Sequence, residues 1–273
     1  MNDNPAATYA RIIDRCFINA PFGLLRQGLL DVFISNRLRP EISLEGDCLW
    51  TAGEDEFQAV ADSLRTAGLQ CTLHAPFFDL APGGLDPKIL AVTREKLRRA
   101  FALSAIFQPR SIVCHLGYDD NKHSYKFEEW LRISEETWTG LLELARRSNT
   151  PVMFENTYET EPRVHQLLFE RLQSSGPGFC LDVGHLTAYA GSSWQTWTDA
   201  LLPRLRQIHL HDNRGRRDEH IAIGLGIFNF REFFDFLRSQ RISPLITLEP
   251  HSESDLWLSL RNIEELKLFE GLE

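Results

Sequence analysis

Between His209 and His220 the chain reads HLHDNRGRRDEH, which sets His209, His211 and His220 beside Asp212, Asp218 and Glu219. Imidazoles and carboxylates are the side chains that ligate divalent metals and move protons. Burying so many together is costly unless a cation or a partner satisfies them. The chemistry implied is metal-assisted, with carboxylates as candidate acids and bases. Gly224 and Gly226 follow in GLG, expected to turn tightly before the next helix, with a phosphate-binding loop as the functional reading of a weak motif. Arg214, Arg216 and Arg217 are expected either as a solvated loop or to capture a phosphate or sugar hydroxyl.

Further groups of the same kind end short apolar runs: His74 in CTLHAPF, His115 in SIVCHLGY, Glu155 in PVMFENTY, Asp182 and His185 in FCLDVGH, and Glu249 in ITLEPHS. The elements that must position them follow from the pattern. Strands are expected at Cys16–Asn19, Pro40–Leu44, Gln70–His74, Ser111–His115, Pro151–Glu155, Gly178–Asp182, Gln207–His211 and Leu245–Glu249. Helices are expected at Leu24–Arg37, Glu54–Ala67, Pro87–Phe107, Glu128–Arg147, Glu161–Gln173, Trp194–Leu202, Asn229–Ser239 and Ser254–Leu268. In the helix after Pro87, Leu90, Leu97, Phe101 and Ala105 recur at helical spacing, with Arg94 interrupting the stripe.

Strict alternation of strand and helix implies parallel pairing. At 273 residues the expected fold is a single-domain α/β protein, a closed (β/α)8 TIM barrel over residues 11–273 after a flexible tail at 1–10. An open doubly wound sheet would want a glycine-rich phosphate turn after an early strand, and the sequence has none. In a barrel the carboxyl ends of the strands form the face where sites are built. Strands three to eight each deliver a ligand-type residue there.

A net charge of −9 disfavours extended nucleic-acid binding. No apolar run is long enough to span a membrane, and the amino terminus lacks a signal pattern. The five cysteines form no CxxC pair, so reduced thiols in a cytoplasmic protein are expected.

The phrases LDVGH, HLHDN, DEH…GLG and LEPH resemble the xylose isomerase-like barrel superfamily, which includes sugar-phosphate isomerases and epimerases and endonuclease IV-type (AP endonuclease family 2) phosphodiesterases. The resemblance runs from about Gln70 to His251; strands one and two add nothing specific. In the epimerase branch it implies one divalent ion on Glu155, Asp182, His209 and Glu249. Glu155 and Glu249 then trade the proton through an enediolate, and His185 and an arginine near Arg217 hold substrate oxygens. His211, which alternates with His209 and so shares its direction, is expected behind the ligands or against substrate, with a solvated loop histidine as the alternative. In the nuclease branch it implies nine ligands around three zinc ions: His74, His115, Glu155, Asp182, His185, His209, Asp218, His220 and Glu249. All nine positions carry the right residue type, while the loop after strand seven is short and arginine-rich. The expected cofactor is a divalent metal (zinc, manganese, magnesium or cobalt), one to three ions per chain. The expected partner is a small sugar or phosphate-bearing substrate, with a homodimer as the candidate assembly and neither nucleic acid nor membrane. HLHDN…DEH…GLG ranks a sugar isomerase or epimerase first. A zinc phosphodiesterase or phosphatase comes second and a non-enzymatic metal-binding barrel third.

Plainer readings stand beside these. His74 or His115 alone is as readily a hydrogen-bonded core histidine as a ligand. His123, His165 and His251 are expected at the surface, His251 with a place at the site rim as the alternative. Cys180 is expected as a packing residue and the six tryptophans as core or interhelix contacts. Phe77, Phe78 and Trp50 are expected in loops near the active face, where they could stack on a ring.

Overall fold

A computed structural model of the chain describes residues 5–173 and 176–272. Eight strands, β1 (Phe17–Pro21), β2 (Pro40–Ser43), β3 (Thr72–His74), β4 (Ile112–His115), β5 (Val152–Glu155), β6 (Gly178–Asp182), β7 (Leu205–Leu210) and β8 (Leu245–Leu248), close into a barrel in chain order. Every neighbouring pair is parallel, and β1 closes on β8 through Phe17–Thr247 and Ile18–Leu248. Register aligns the strand tips: His115 lies opposite Glu155, and Asp182 opposite His209. The expected (β/α)8 barrel is the fold found.

The helices cover the sheet with amphipathic faces. Phe127–Arg147 buries Trp130, Leu131, Trp138, Leu141 and Ala145, a stripe at helical spacing. Pro87 opens its helix where a missing N–H is harmless, and the Asp86 carboxylate accepts from the Lys88 and Ile89 amides.

Three stretches depart from expectation. The helix expected at Leu24–Arg37 is broken at Gly28, whose φ of 115° no helix accommodates. A short helix, Val183–Tyr189, follows β6 directly, capped by Asp182 accepting from the His185 amide at 2.6 Å. Residues 1–4 of the expected tail lie outside the described residues; beyond them Pro5–Thr8 and Ala10–Ile13 are helical, with Ala6, Ile12 and Ile13 buried. No helix among the described residues is long and apolar enough to cross a membrane. All five cysteines are buried and unpaired, as free thiols.

Candidate functional site

Side chains alternate along a strand, so Gln207, His209 and His211 of the β7 segment share one direction, into the barrel and its mouth. His209 sits midway. Its Nδ1 faces Glu155 Oε1 and Glu249 Oε1, each at 3.0 Å, and lies 3.8 Å from Asp182 Oδ2. Glu155, fully buried at the tip of β5, is the hub. Its Oε2 meets His74 Nε2 at 3.1 Å and His115 Nε2 at 2.9 Å, while Oε1 also lies 3.5 Å from His185 Nδ1. A third group forms around Asp218, whose Oδ2 is 3.0 Å from His220 Nε2 and 3.3 Å from His185 Nε2. His211 joins Asp182 to this group, with Nε2 3.2 Å from Asp182 and Nδ1 3.5 Å from Asp218 Oδ1.

Potential ligand atoms therefore fall into overlapping groups, each within 4.8 Å: His74, His115 and Glu155; Glu155, Asp182 and His209; Asp182, His211 and Glu249; and His185, His211, Asp218 and His220. Each of the nine positions of the nuclease-type pattern falls in one of them. His115 Nε2, His211 Nδ1 and Asp218 Oδ1 are buried without a well-directed hydrogen bond, although His115 Nε2 lies 2.9 Å from Glu155 Oε2 and His211 Nδ1 3.5 Å from Asp218 Oδ1, so these contacts leave their hydrogen-bonding capacity poorly met. Mixed nitrogen and oxygen donors at this density fit zinc or a similar borderline ion.

Without a metal the network neutralises itself with protons. Burial opposes a charge on His74, but the hydrogen-bonded Glu155 carboxylate outweighs it and lifts the imidazole to about 9. His220 is lifted to about 9 in the same way, burial opposing and Asp218 and Glu249 prevailing. Burial opposes the charge on Glu249 too, yet His209 holds this carboxyl below its usual range.

The loop that carries Asp218 and His220 is organised by Asp212. Its carboxylate accepts from the amides of Asn213 (3.0 Å), Gly224 (3.0 Å), Gly226 (2.8 Å) and Phe228 (3.3 Å). A Cβ on Gly226 would come within 2.2 Å of Asp212 Oδ1. The expected phosphate loop thus wraps a carboxylate of the chain itself. His220 is held at φ 51°, a strained backbone for a non-glycine residue, which sets its ring flat against His211 at 3.7 Å. Gly184 of LDVGH leaves room for that ring, since a Cβ there would lie 1.9 Å from His211.

Other expectations move. Arg217 is exposed and does not line the cavity at the barrel mouth. Arg214 is engaged by Glu219 at 2.7 Å. His165, expected at the surface, is fully buried, its Nε2 3.2 Å from the Glu155 carbonyl. His251 takes the rim, stacked on His220 at 3.9 Å. Phe77 and Phe78 line the cavity, Phe77 stacked on His115 at 4.3 Å; Trp50 does not line it and packs under Arg99. Trp257, expected in packing, also faces the cavity.

Two carboxylates escaped the sequence reading. Glu159, four residues beyond Glu155, is buried, and burial raises its carboxyl to about 7. Glu41 lies inside the barrel on β2, fully buried beneath the mouth. Its Oε2 accepts from Thr72 Oγ1 (2.8 Å), Gln207 Nε2 (2.8 Å) and Thr247 Oγ1 (3.0 Å), and Oε1 lies 3.1 Å from His209 Nε2. The signal was a glutamate inside an apolar strand, PEIS, which no solvated face explains. Glu41 backs the ring of His209 on its Nε2 side while Nδ1 faces the mouth, a position from which a carboxylate can orient a histidine that ligates a metal. Glu41→Gln is expected to weaken metal binding by roughly 10–100-fold with the fold retained, as measured by competitive zinc titration. Unchanged affinity would assign Glu41 to barrel packing alone.

Fold and mouth together define the class: a TIM barrel able to gather metal donors at the carboxyl ends of its strands. Over residues 41–270 the sequence matches the profile of the xylose isomerase-like TIM barrel family, and the chain belongs to it. An uncharacterized protein of Methanocaldococcus jannaschii, MJ1614, is 26% identical over 204 residues, 72% of this chain and 78% of that one. Among solved structures, a D-tagatose 3-epimerase-like protein superposes with a TM-score of 0.76 at 20% identity, covering 94% of this chain and 98% of its own. The Thermus thermophilus protein TTHB071, from a crystal soaked with zinc chloride, gives 0.77 at 21% identity over 92% and 97%. The 3-keto-D-glucoside 4-epimerase YcjR of E. coli gives 0.71 at 14% identity over 92% and 99%.

Proposed function

We propose that the protein is a multi-metal hydrolase of small phosphoric esters, with zinc as the fitting ion. One observation carries this reading: nine donors converge in overlapping groups, joined through Glu155 and Asp182 on one side and through His211 to the Asp218 group on the other. A single ion on Glu155, Asp182, His209 and Glu249 would leave His74, His115, His185, Asp218 and His220 with no ligand to account for their gathering. His74, His115 and Glu155 would hold one ion, Glu155, Asp182, His209 and Glu249 a second, and His185, Asp218 and His220 a third. Bound ions supply activation of water and stabilisation of charge on the phosphoryl and leaving oxygens. The chain's own part is placement. Glu155 keeps two groups of donors at fixed separation, and Asp212 fixes the loop that brings Asp218 and His220. Water adds to phosphorus, the ester P–O bond breaks, and the proton from water ends on the departing alcohol.

The second reading is a one-ion sugar isomerase or epimerase, favoured by the epimerases among the structural neighbours. It requires Glu155 to shuttle a proton, yet both of its oxygens already face imidazoles.

Metal analysis of zinc-loaded protein decides between the two. Three ions per chain are expected, falling to two in His220→Ala, with hydrolysis of bis(p-nitrophenyl) phosphate in the native protein. One ion per chain, together with solvent deuterium entering a ketose, would transfer the assignment to the epimerase.

A further inference from the structure

The barrel mouth has two unlike halves. β3 to β8 bring the metal donors. β1, with the segment that follows it, and the helix after β8 bring an apolar wall of Leu24, Leu29, Val32, Phe33, Leu256 and Trp257. Donors and wall line one continuous cavity of about 670 Å³, within the roughly 300–1,000 Å³ of sites that enclose drug-sized organic ligands. Leu24 is 50% exposed and Val32 43% exposed, on either side of the break at Gly28. Large aliphatic side chains left open in a concave site mark a surface kept for an apolar ligand. Phe78, 63% exposed, adds an aromatic face.

The polar side of the same lining narrows the ligand further. No lysine or arginine lines the cavity among the described residues. A substrate with several phosphates would meet no side-chain cation beyond the donor cluster. A polyhydroxylated chain laid along the Leu24–Val32 wall would lose its water where Leu24, Leu29, Val32 and Phe33 line the cavity, with hydrogen-bonding groups only at its borders, Asn19, Ser43 and Glu45 on one side and Ser252 and Glu253 on the other.

We infer that the substrate is a phosphoric ester with a single phosphoryl group and a bulky, largely apolar, ring-bearing organic group seated on the Leu24–Val32 wall. The phosphoryl group goes to the donor cluster and the organic group to the opposite half of the mouth. This inference rests on the hydrolase reading for the phosphoryl end; the wall itself is tested by binding, without turnover.

Calorimetric titration of zinc-loaded protein with inorganic phosphate, phenylphosphonate and 1-naphthylphosphonate, whose P–C bonds offer no alcohol to leave, reads the wall directly. Affinity is expected to rise at least about 30-fold across the series. In a Leu24→Asn, Val32→Asn double variant, altered only at open positions, the span is expected to shrink to about 3-fold or less. A flat series in the native protein overturns the inference, as does a span that the double variant leaves intact, or no binding by any of the three. A steep, wall-dependent series in a protein that cleaves neither a phosphomonoester nor a phosphodiester upholds the apolar subsite while rejecting the hydrolase reading.

Discussion

Glu155→Gln is expected to lower kcat/KM on a phosphodiester by on the order of 10⁴-fold or more, about 5.5 kcal/mol of barrier, and to reduce bound zinc from three ions to one. The carboxylate is the shared member of two donor groups, with one oxygen toward His74 and His115 and the other toward His209 and His185. An amide of the same size keeps one acceptor oxygen but turns its other end into a donor. One pair of imidazoles then loses its anionic partner, and both donor groups that would hold an ion through this carboxylate are weakened. The substitution also removes a buried charge from a network that needs it, at a cost of roughly 3–5 kcal/mol. Thermal unfolding must therefore accompany the kinetics. Glu249→Gln keeps the experiment decisive if Glu155→Gln does not fold. Glu249 faces His209 at 3.0 Å, with His211 and His220 each at 3.9 Å, and lines the open cavity, and its loss is expected to abolish turnover with the fold intact. A folded Glu155→Gln or Glu249→Gln protein with native turnover would remove both the hydrolytic and the epimerising mechanism.

The barrel and most of the donor cluster were legible for the same reason: His74, His115, Glu155, Asp182, His209 and Glu249 end or close apolar runs, and strand tips in a parallel barrel converge. What spacing does not disclose is depth. Glu41 lies a layer below the mouth, and only the closed ring of strands brings β2 beside His209 from β7. His165 sits on a helix, Arg163–Arg171, whose inward face was visible, but its contact with the Glu155 carbonyl crosses between elements. Gly224 and Gly226 read as a phosphate turn because glycine-rich loops bind anions. Here the anion is Asp212, placed by a bridge to Ile221 that no local pattern announces. Arg217 illustrates the opposite limit. Residue type suited it to a substrate oxygen, and the loop path carries it outside the cavity.

Zinc binding near neutral pH is expected to release at least two protons per chain, and apparent affinity is expected to fall by about tenfold per pH unit for each proton displaced. The metal-free site sets this sign. Burial opposes charge on imidazoles of the site; at His115 it prevails and lowers the group, while at His74, His185, His209 and His220 the neighbouring acidic groups outweigh it. His74 and His220 are lifted to about 9, and His185 and His209 also stand well above the usual histidine range. An imidazolium has no lone pair to offer, so each such ligand gives up its proton when an ion arrives. Titration in two buffers of different ionisation enthalpy counts those protons; identical heats in both would show that none leave. The same shifts govern the metal-free fold. A histidine raised in the native state contributes stability in full below its unfolded value of about 6.5, and loses it as pH rises through about 9. Glu249 and Asp218 are held below the usual carboxylate range, so their contribution is present above about 4 and fades only in acid. Chelated protein should therefore be more stable at pH 6.5 than at pH 9 by roughly a few kcal/mol. Zinc-loaded protein should show the reverse ordering, because ions that no longer compete with protons bind the native state more tightly. Calorimetric unfolding of both forms at the two pH values tests the crossing. Parallel pH profiles would mean that the histidines of the mouth are structural and that no ion takes the place of their protons.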